Sequence, residues 1–420
     1  MGKEAILEFL YGLQMFGIKL GLENIHTLLH SVDNPQNQYG IIHVAGTNGK
    51  GSVCTFLRAI LMAAGYRVGT YTSPHLHQFN ERITVDNCPI DDDELASLVD
   101  ELRSGNPGVP ATFFEFTTAL ALLHFSRSEV DVVVLEVGMG GRLDATNVVT
   151  PLVSVITSVS IDHGGYLGDS IEQIAAEKGG IIKAGVPVVI SSQQEAVQSV
   201  LLRQADDAGA LAFLYGRDFH CENGSDEMKV VSTDQVWTEL RPQMLGRHQG
   251  ENLATALMTL QCLLLHGYEV TQAQIRTAVA QATWPGRLEW WPDTHPPVLL
   301  DGAHNEAGAT SLATYLQQHD YTKIRWVAGF KVDKDVAAIL RCMLSLTLRV
   351  YAVEPPVEQP FPCEQIVDIV VASGGVGQSY ADGVSALQQA QRDCRAGEIV
   401  VVAGSLFLVA ACREYLILSR

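Results

Sequence analysis

Three scarcities narrow the class of this sequence. Its eight cysteines, at 54, 88, 221, 262, 342, 363, 394 and 412, include no C-x-x-C pair, so spacing encodes neither a zinc site nor a disulfide framework. They read as buried thiols in a reducing compartment. Positive charge is short: 28 Lys and Arg against 47 Asp and Glu leave a formal charge of -19. Nucleic acid and anionic membrane are poor partners for such a surface, and anionic substrates have to be met by local cations. Long apolar runs are missing as well. The longest, Ile399 to Cys412, is interrupted by Gly404 and Ser405, too short to span a bilayer, and reads as strand, turn and helix. Lys3, Glu4 and Glu8 break up the N-terminus, which therefore lacks the pattern of a secretory signal. A cytoplasmic protein is expected, and no fixed-period repeat suggests a solenoid or propeller.

What is present fits two α/β domains. The 420 residues, 47% apolar and 18% charged, exceed one ordinary core. Short apolar runs alternate with helical patterns, the form taken by parallel sheets crossed by helices. The first series runs through 41–45, 67–72, 130–137, 152–157 and 186–191. Residues 218–241 are polar and β-branched without helical period and predict a small antiparallel insertion. Helices are expected over 251–265 and 272–282. Trp284-Pro285-Gly286-Arg287, followed by Pro292, Pro296 and Pro297, marks a linker. A second, smaller sheet follows through 298–301, 323–329, 348–353, 366–372 and 398–404. The expected domains are 1–287 and 288–420.

The strand ending at Ala45 runs into Gly46-Thr47-Asn48-Gly49-Lys50-Gly51-Ser52 and then an apolar-periodic helix with Val53, Phe56, Leu57, Ile60 and Leu61. Glycines let backbone N–H groups curl around phosphate oxygens, the helix N-terminus adds positive dipole, and Lys50 neutralises charge moving to a γ-phosphate. The strict Walker pattern fails, because Val44 holds its first glycine position and Gly51 separates Lys50 from Ser52. The plainer reading is a glycine turn with a solvated lysine.

Two other positions stand out on chemistry alone. Glu136 lies near the carboxyl end of an otherwise apolar strand, where open α/β sheets place ligands. With the Ser73 hydroxyl it offers oxygen donors for Mg²⁺, Ser52 being a weaker third. Lys178 falls on the inward stripe of Ile171, Ile174, Ala175, Ile181 and Ile182. A lysine there needs either a carboxylate partner or chemical conversion.

The phosphate loop resembles that of the Mur ligase superfamily, in the form used by folylpolyglutamate and dihydrofolate synthases. Thr72-Ser73-Pro74-His75-Leu76, Leu135 to Asn147, Asp162-His163, Glu177-Lys178 and Leu300-Asp301-Gly302-Ala303-His304-Asn305 follow in that family's order across nearly the whole chain. The resemblance implies an ATP-dependent ligase that activates a carboxylate as its acyl phosphate and couples it to L-glutamate. Its acceptors would be dihydropteroate and the γ-carboxylate of reduced folates.

It further implies that His163 joins Ser73 and Glu136 as a metal ligand and that Lys178 is carbamylated, holding a second Mg²⁺; a monovalent cation could join them. Asn252, Arg287 and Asp301 would contact ATP, and His304 would orient phosphate or substrate. Leu20, Gly21, Leu22, Phe114, Arg142 and Asp144 would line the pterin side. Gly179 stands where this family more often has alanine. Phe113, Phe114 and Phe116 suit either an aromatic face for a pterin or core at helical spacing. Alternatives are a folylpolyglutamate synthase without dihydropteroate activity, a muramyl ligase, which should carry a UDP-binding domain ahead of the loop, and a regulatory P-loop ATPase. The working unit is expected to be a monomer.

Overall fold

Parallel strands buried on both faces are nearly continuous apolar runs, and β1 (Gly40–Ala45), the sequence GIIHVA, is one. The computed structural model describes residues 3–13, 21–106, 108–162, 167–224 and 227–419. It divides into two compact units, one of Met1–Gln243 with Gln249–Ala282, the other of Met244–His248 with Thr283–Arg420.

In the first unit β1 is central. It pairs in parallel with β5 (Val132–Glu136) on one side and β6 (Val153–Ile156) on the other. Beyond β5 lies β2 (Val68–Tyr71), and beyond β6 lie β7 (Val188–Ile190) and β8 (Ala212–Leu214), all parallel. The hairpin β3 (Ile83–Val85) and β4 (Cys88–Pro89) adds an antiparallel edge to complete the order β4-β3-β2-β5-β1-β6-β7-β8. Helix Lys50–Ala63 buries Val53, Phe56, Leu57, Ile60 and Leu61, as its period requires. The insertion is a separate antiparallel sheet of β9 (Phe219–Asn223), β10 (Met228–Ser232) and β11 (Val236–Leu240). Helices His248–Leu263 and Gln272–Gln281 follow.

The second unit holds six strands in the order β12-β13-β17-β14-β15-β16. They are β12 (Glu289–Trp291), β13 (Val298–Leu300), β14 (Ile324–Ala328), β15 (Thr347–Ala352), β16 (Gly377–Ser379) and β17 (Ile399–Ala403). All pair in parallel except β12.

Three expectations need correction. The apolar run 366–372 is not a strand but most of helix Cys363–Ala372. Cys363, Ile366 and Val370 are buried on one face while Val371 is 58% exposed. A short apolar run fits either period until its neighbours decide, and the strand comes later, at Gly377–Ser379. The proline-rich linker contains β12 and is fastened to the second unit. Gly302 N–H donates to Gly286 O (2.8 Å) and Leu288 N–H to Asp301 Oδ2 (2.9 Å), so the units divide at Ala282/Thr283. The lysine helix ends at Gly179, which leaves Ile181 and Ile182 in the turn beyond it. Among the described residues no helix is long and apolar enough to cross a membrane.

Candidate active site

The phosphate loop is held open by contacts that only glycine permits. Gly46 (φ 146°) and Gly49 (φ 91°) lie in left-handed backbone space. A Cβ at the first would run into Thr157 Oγ1 and at the second into Asn252 Oδ1. Thr47 and Asn48 N–H groups both donate to Ser158 O (2.9 and 3.1 Å), fastening the loop beyond the end of β6. Helix Lys50–Ala63 begins at Gly49 with no side-chain cap, so its first-turn N–H groups face the position a phosphate would take. Lys50 Nζ folds back to donate to Gly46 O (3.1 Å) and Thr47 O (3.2 Å), and lies 4.0 Å from Glu136 Oε1. Asn252 lies behind the loop. Its amide donates to Gln249 Oε1 (3.0 Å), and Gln249 donates to Ser52 Oγ (3.3 Å).

Glu136 ends β5 beside this loop, 4% exposed, and accepts the Ser73 N–H at 3.1 Å. The Ser73 hydroxyl therefore belongs to the residue already anchored on that carboxylate. Carboxylate and hydroxyl oxygens next to a phosphate cradle are the donor set a hard divalent ion takes, so these residues fit one.

Lys178, 4% exposed, donates from Nζ to Gly46 O at 2.9 Å. Burial, reinforced by Lys50, pushes its ammonium down to about 7, with Asp162 and Asp144 pulling weakly the other way. An ammonium so placed gives up its proton near neutrality. At Gly179 a Cβ would collide with Gln204 Oε1, since the Gln204 amide caps Ala176 O (3.0 Å). A neighbouring glutamine thus takes the space an alanine methyl would need.

On the acceptor side, Phe116 is core, edge-on to Phe9 (5.4 Å). Phe113 and Phe114 are half-buried. Phe114 packs against Gly138 and lies 5.9 Å from Tyr71; Phe113 stacks on Tyr11 (5.9 Å) with the Arg82 guanidinium over its ring (5.4 Å). Asp144 is 7% exposed and turned into its own loop, accepting Met139 N–H (2.9 Å), Thr146 N–H (3.0 Å) and the Thr146 hydroxyl (2.5 Å). Burial raises its carboxyl against the opposing pull of these bonds. Arg142 pairs with Glu177 Oε1 (2.7 Å), its side chain mostly exposed. Leu22 packs against the core beside Gly21; Leu20 and His163 lie outside the described residues.

In the second unit Asp301 follows β13 and accepts Leu288 and Ala303 N–H groups (2.9 Å each). His304 Nδ1 is 2.8 Å from Gly302 O, a contact that places its proton on Nδ1. Arg287 presses on Gly302, where it leaves no room for a Cβ. Nearby His248 is lowered by burial, with Asp301 opposing and Arg287 adding to the effect.

Sequence reasoning passed over Gln249, the Arg82–His75 pair and His43. Arg82 Nε donates to His75 Nδ1 (2.8 Å), and burial together with Arg82 pushes His75 down to about 4. His43 was detectable as the one ionisable residue in an apolar strand.

The Mur ligase middle domain family matches residues 44–260, and the family described as dihydrofolate synthetase, C-terminal domain, matches 288–414. The dihydrofolate synthase/folylpolyglutamate synthase of Bacillus subtilis is 34% identical over 427 residues, covering 97% of each chain. The folylpolyglutamate synthase of Lacticaseibacillus casei is 36% identical over 406 residues, 94% of each. Escherichia coli FolC in complex with DHPP and ADP is similar with TM-score 0.92 at 31% identity, over 99% of this chain and 98% of that one. The Yersinia pestis folylpolyglutamate synthase/dihydrofolate synthase complexed with AMPPNP and Mn ion gives 0.90 at 32%, over 99% and 98%.

Proposed function

Since the chain belongs to the dihydrofolate synthase/folylpolyglutamate synthase family of Mur ligases, we propose how its residues carry out ATP-dependent ligation of L-glutamate to dihydropteroate and to folates. The enzyme uses ATP and a divalent metal. The observation that carries the residue assignments is the meeting of Lys50, Glu136 and Lys178 at the carboxyl end of β1 and β5, with both amines on the Gly46 carbonyl.

Lys50 leaves the loop carbonyls for the γ-phosphate as the acceptor carboxylate attacks it, while Gly46 to Ser52 cradle the phosphates. Glu136, Ser73 and, more weakly, Ser52 would hold a divalent ion, and His163 is assigned to it as a further ligand. That ion, when bound, offsets the charge shared by the phosphates and the incoming acid. Glutamate's amine then attacks the acyl phosphate and phosphate leaves. Lys178, half neutral near pH 7, is nucleophilic enough to add to CO₂ with loss of a proton to water, and the resulting carbamate would supply oxygen for a second Mg²⁺; a monovalent cation would only assist. Asn252, Arg287 and Asp301 serve the nucleotide, and His304 orients the phosphoryl group or substrate.

Phe114 offers the pterin a ring face and Asp144 an acceptor, and Arg142, Gly21, Leu22 and Leu20 are assigned to the same acceptor. That pairing favours a bifunctional enzyme over one restricted to polyglutamylation. The first unit binds nucleotide and pterin, and the second completes the ligase. Free thiols at all eight cysteines support a cytoplasmic setting, and a monomer suffices for these roles.

Phosphate release from Mg²⁺-ATP and glutamate tests the proposal, with dihydropteroate, tetrahydrofolate and a UDP-muramyl acid offered separately. Turnover with both pteroate acids is expected. Turnover with tetrahydrofolate alone would select the monofunctional alternative, and none with either would end the proposal.

A further inference from the structure

His43 is fully buried in the middle of β1, and its imidazole is not a filler. Nε2 lies 2.8 Å from Thr146 Oγ1, and Thr146 Oγ1 donates to Asp144 Oδ1 at 2.5 Å. A threonine hydroxyl has one proton. With that proton given to the carboxylate, only lone pairs face the imidazole, so His43 must carry its proton on Nε2. Nδ1, buried and without a hydrogen-bond partner, is then the bare nitrogen. The opposite tautomer would bury an N–H donor with nothing to receive it, at a cost of about 1–3 kcal/mol. Burial, with Lys183 adding to it, pushes the imidazole down to about 3, so it stays neutral throughout the range in which the enzyme works.

The bonds therefore run one way, from His43 to Thr146 to Asp144. Oδ1 is occupied by Thr146 through both its hydroxyl and its N–H, which leaves Oδ2 on the Met139 N–H. β1 is also the strand that delivers Gly46 three residues later. One rigid strand thus fixes the phosphate cradle at its end and the Asp144 carboxylate from its middle.

We propose that His43 and Thr146 are positioning residues for the pterin-bearing acid, holding the Asp144 carboxylate in register with the phosphate loop. This rests on the reading that Asp144 contacts the pterin. The hydroxyl bond is made to a charged acceptor, and its loss is expected to weaken acceptor binding about tenfold.

The test uses the full-length enzyme and measures KM for dihydropteroate and for ATP separately. Thr146→Val is expected to raise the dihydropteroate KM about tenfold and leave the ATP KM within about twofold. Thr146→Ser should restore it. His43→Leu should behave as Thr146→Val, and His43→Gln, whose amide reaches the Nε2 position, should stay near wild type. Equal rises in both KM values, or failure of serine to rescue, would reduce the pair to ordinary packing. Asp144→Ala separates the two layers. If it raises the dihydropteroate KM and the Thr146 variants do not, the relay is wrong and the Asp144 contact stands; if it changes nothing, both fall. Nitrogen NMR of the His43 ring supplies a readout independent of folding losses in the variants: Nε2 protonated is expected, and a proton on Nδ1 overturns the relay.

Discussion

Replacing Lys178 with methionine should make the first unit less sensitive to pH. The wild-type ammonium is pushed down to about 7 by burial, against about 10.4 in an unfolded chain. Between these values the unfolded state holds a proton that the folded state has released, so stability rises with pH. From pH 6 to pH 9 the gain amounts to about 2.5 kcal/mol, at about 1.36 kcal/mol per unit. Below pH 7 both states are protonated and the desolvation penalty is borne in full. Lys178→Met removes the group, so the stability difference, variant minus wild type, should be largest at pH 6 and shrink by about that amount at pH 9. The assay is urea unfolding of both proteins in CO₂-free buffer at constant ionic strength. Adding bicarbonate should stabilise wild type alone, since only it has the buried amine at 178 to convert. Parallel pH curves for the two proteins would refute the burial argument, and equal responses to bicarbonate would remove carbamylation.

Three further outcomes are expected. Gly49→Ala should cost about 1–3 kcal/mol and raise the ATP KM. Adding Asn252→Ala relieves the collision but not the positive φ, so the thermal midpoint should recover only in part; full recovery would argue that the backbone is unstrained. Asp144→Ala should lower kcat/KM far more for dihydropteroate than for tetrahydrofolate, and equal losses would count against a pterin contact. His43, held at about 3 against an unfolded value of about 6.5, refuses a proton that the unfolded chain accepts. Stability should therefore fall as pH drops from about 6.5 toward 3, by up to about 1.4 kcal/mol per unit from this residue. His43→Gln should flatten that acid limb in denaturant titrations, and an unchanged limb would show that the imidazole is already protonated.

Much of this was legible in the sequence because the chemistry demanded exceptions to local rules. A carboxylate ending an apolar strand and a lysine on an inward helix stripe are costly placements, and Glu136 and Lys178 stand where those exceptions put them. Strand positions in the first unit followed from short β-branched runs bounded by glycine and turn residues. Residues 366–372 were ambiguous because six apolar positions around Asp368 satisfy both periods, and only packing exposes Val371. β12 was obscured by prolines around a three-residue strand that pairs on one side only. The link from the Asp144 loop to His43 runs through Thr146, 103 positions along the chain from His43, and no local pattern encodes a contact of that separation. Gln204 filling the space beside Gly179 is of the same kind.

The lysine of the phosphate loop has two carbonyls of its own loop within bonding reach, and a γ-phosphate must compete with them for the amine. Nucleotide therefore enters a site whose counter-charge is already engaged, and part of its binding free energy goes into breaking those bonds. ADP, with no γ-phosphate to draw the amine away, would leave that exchange incomplete, so the same internal contacts favour product release.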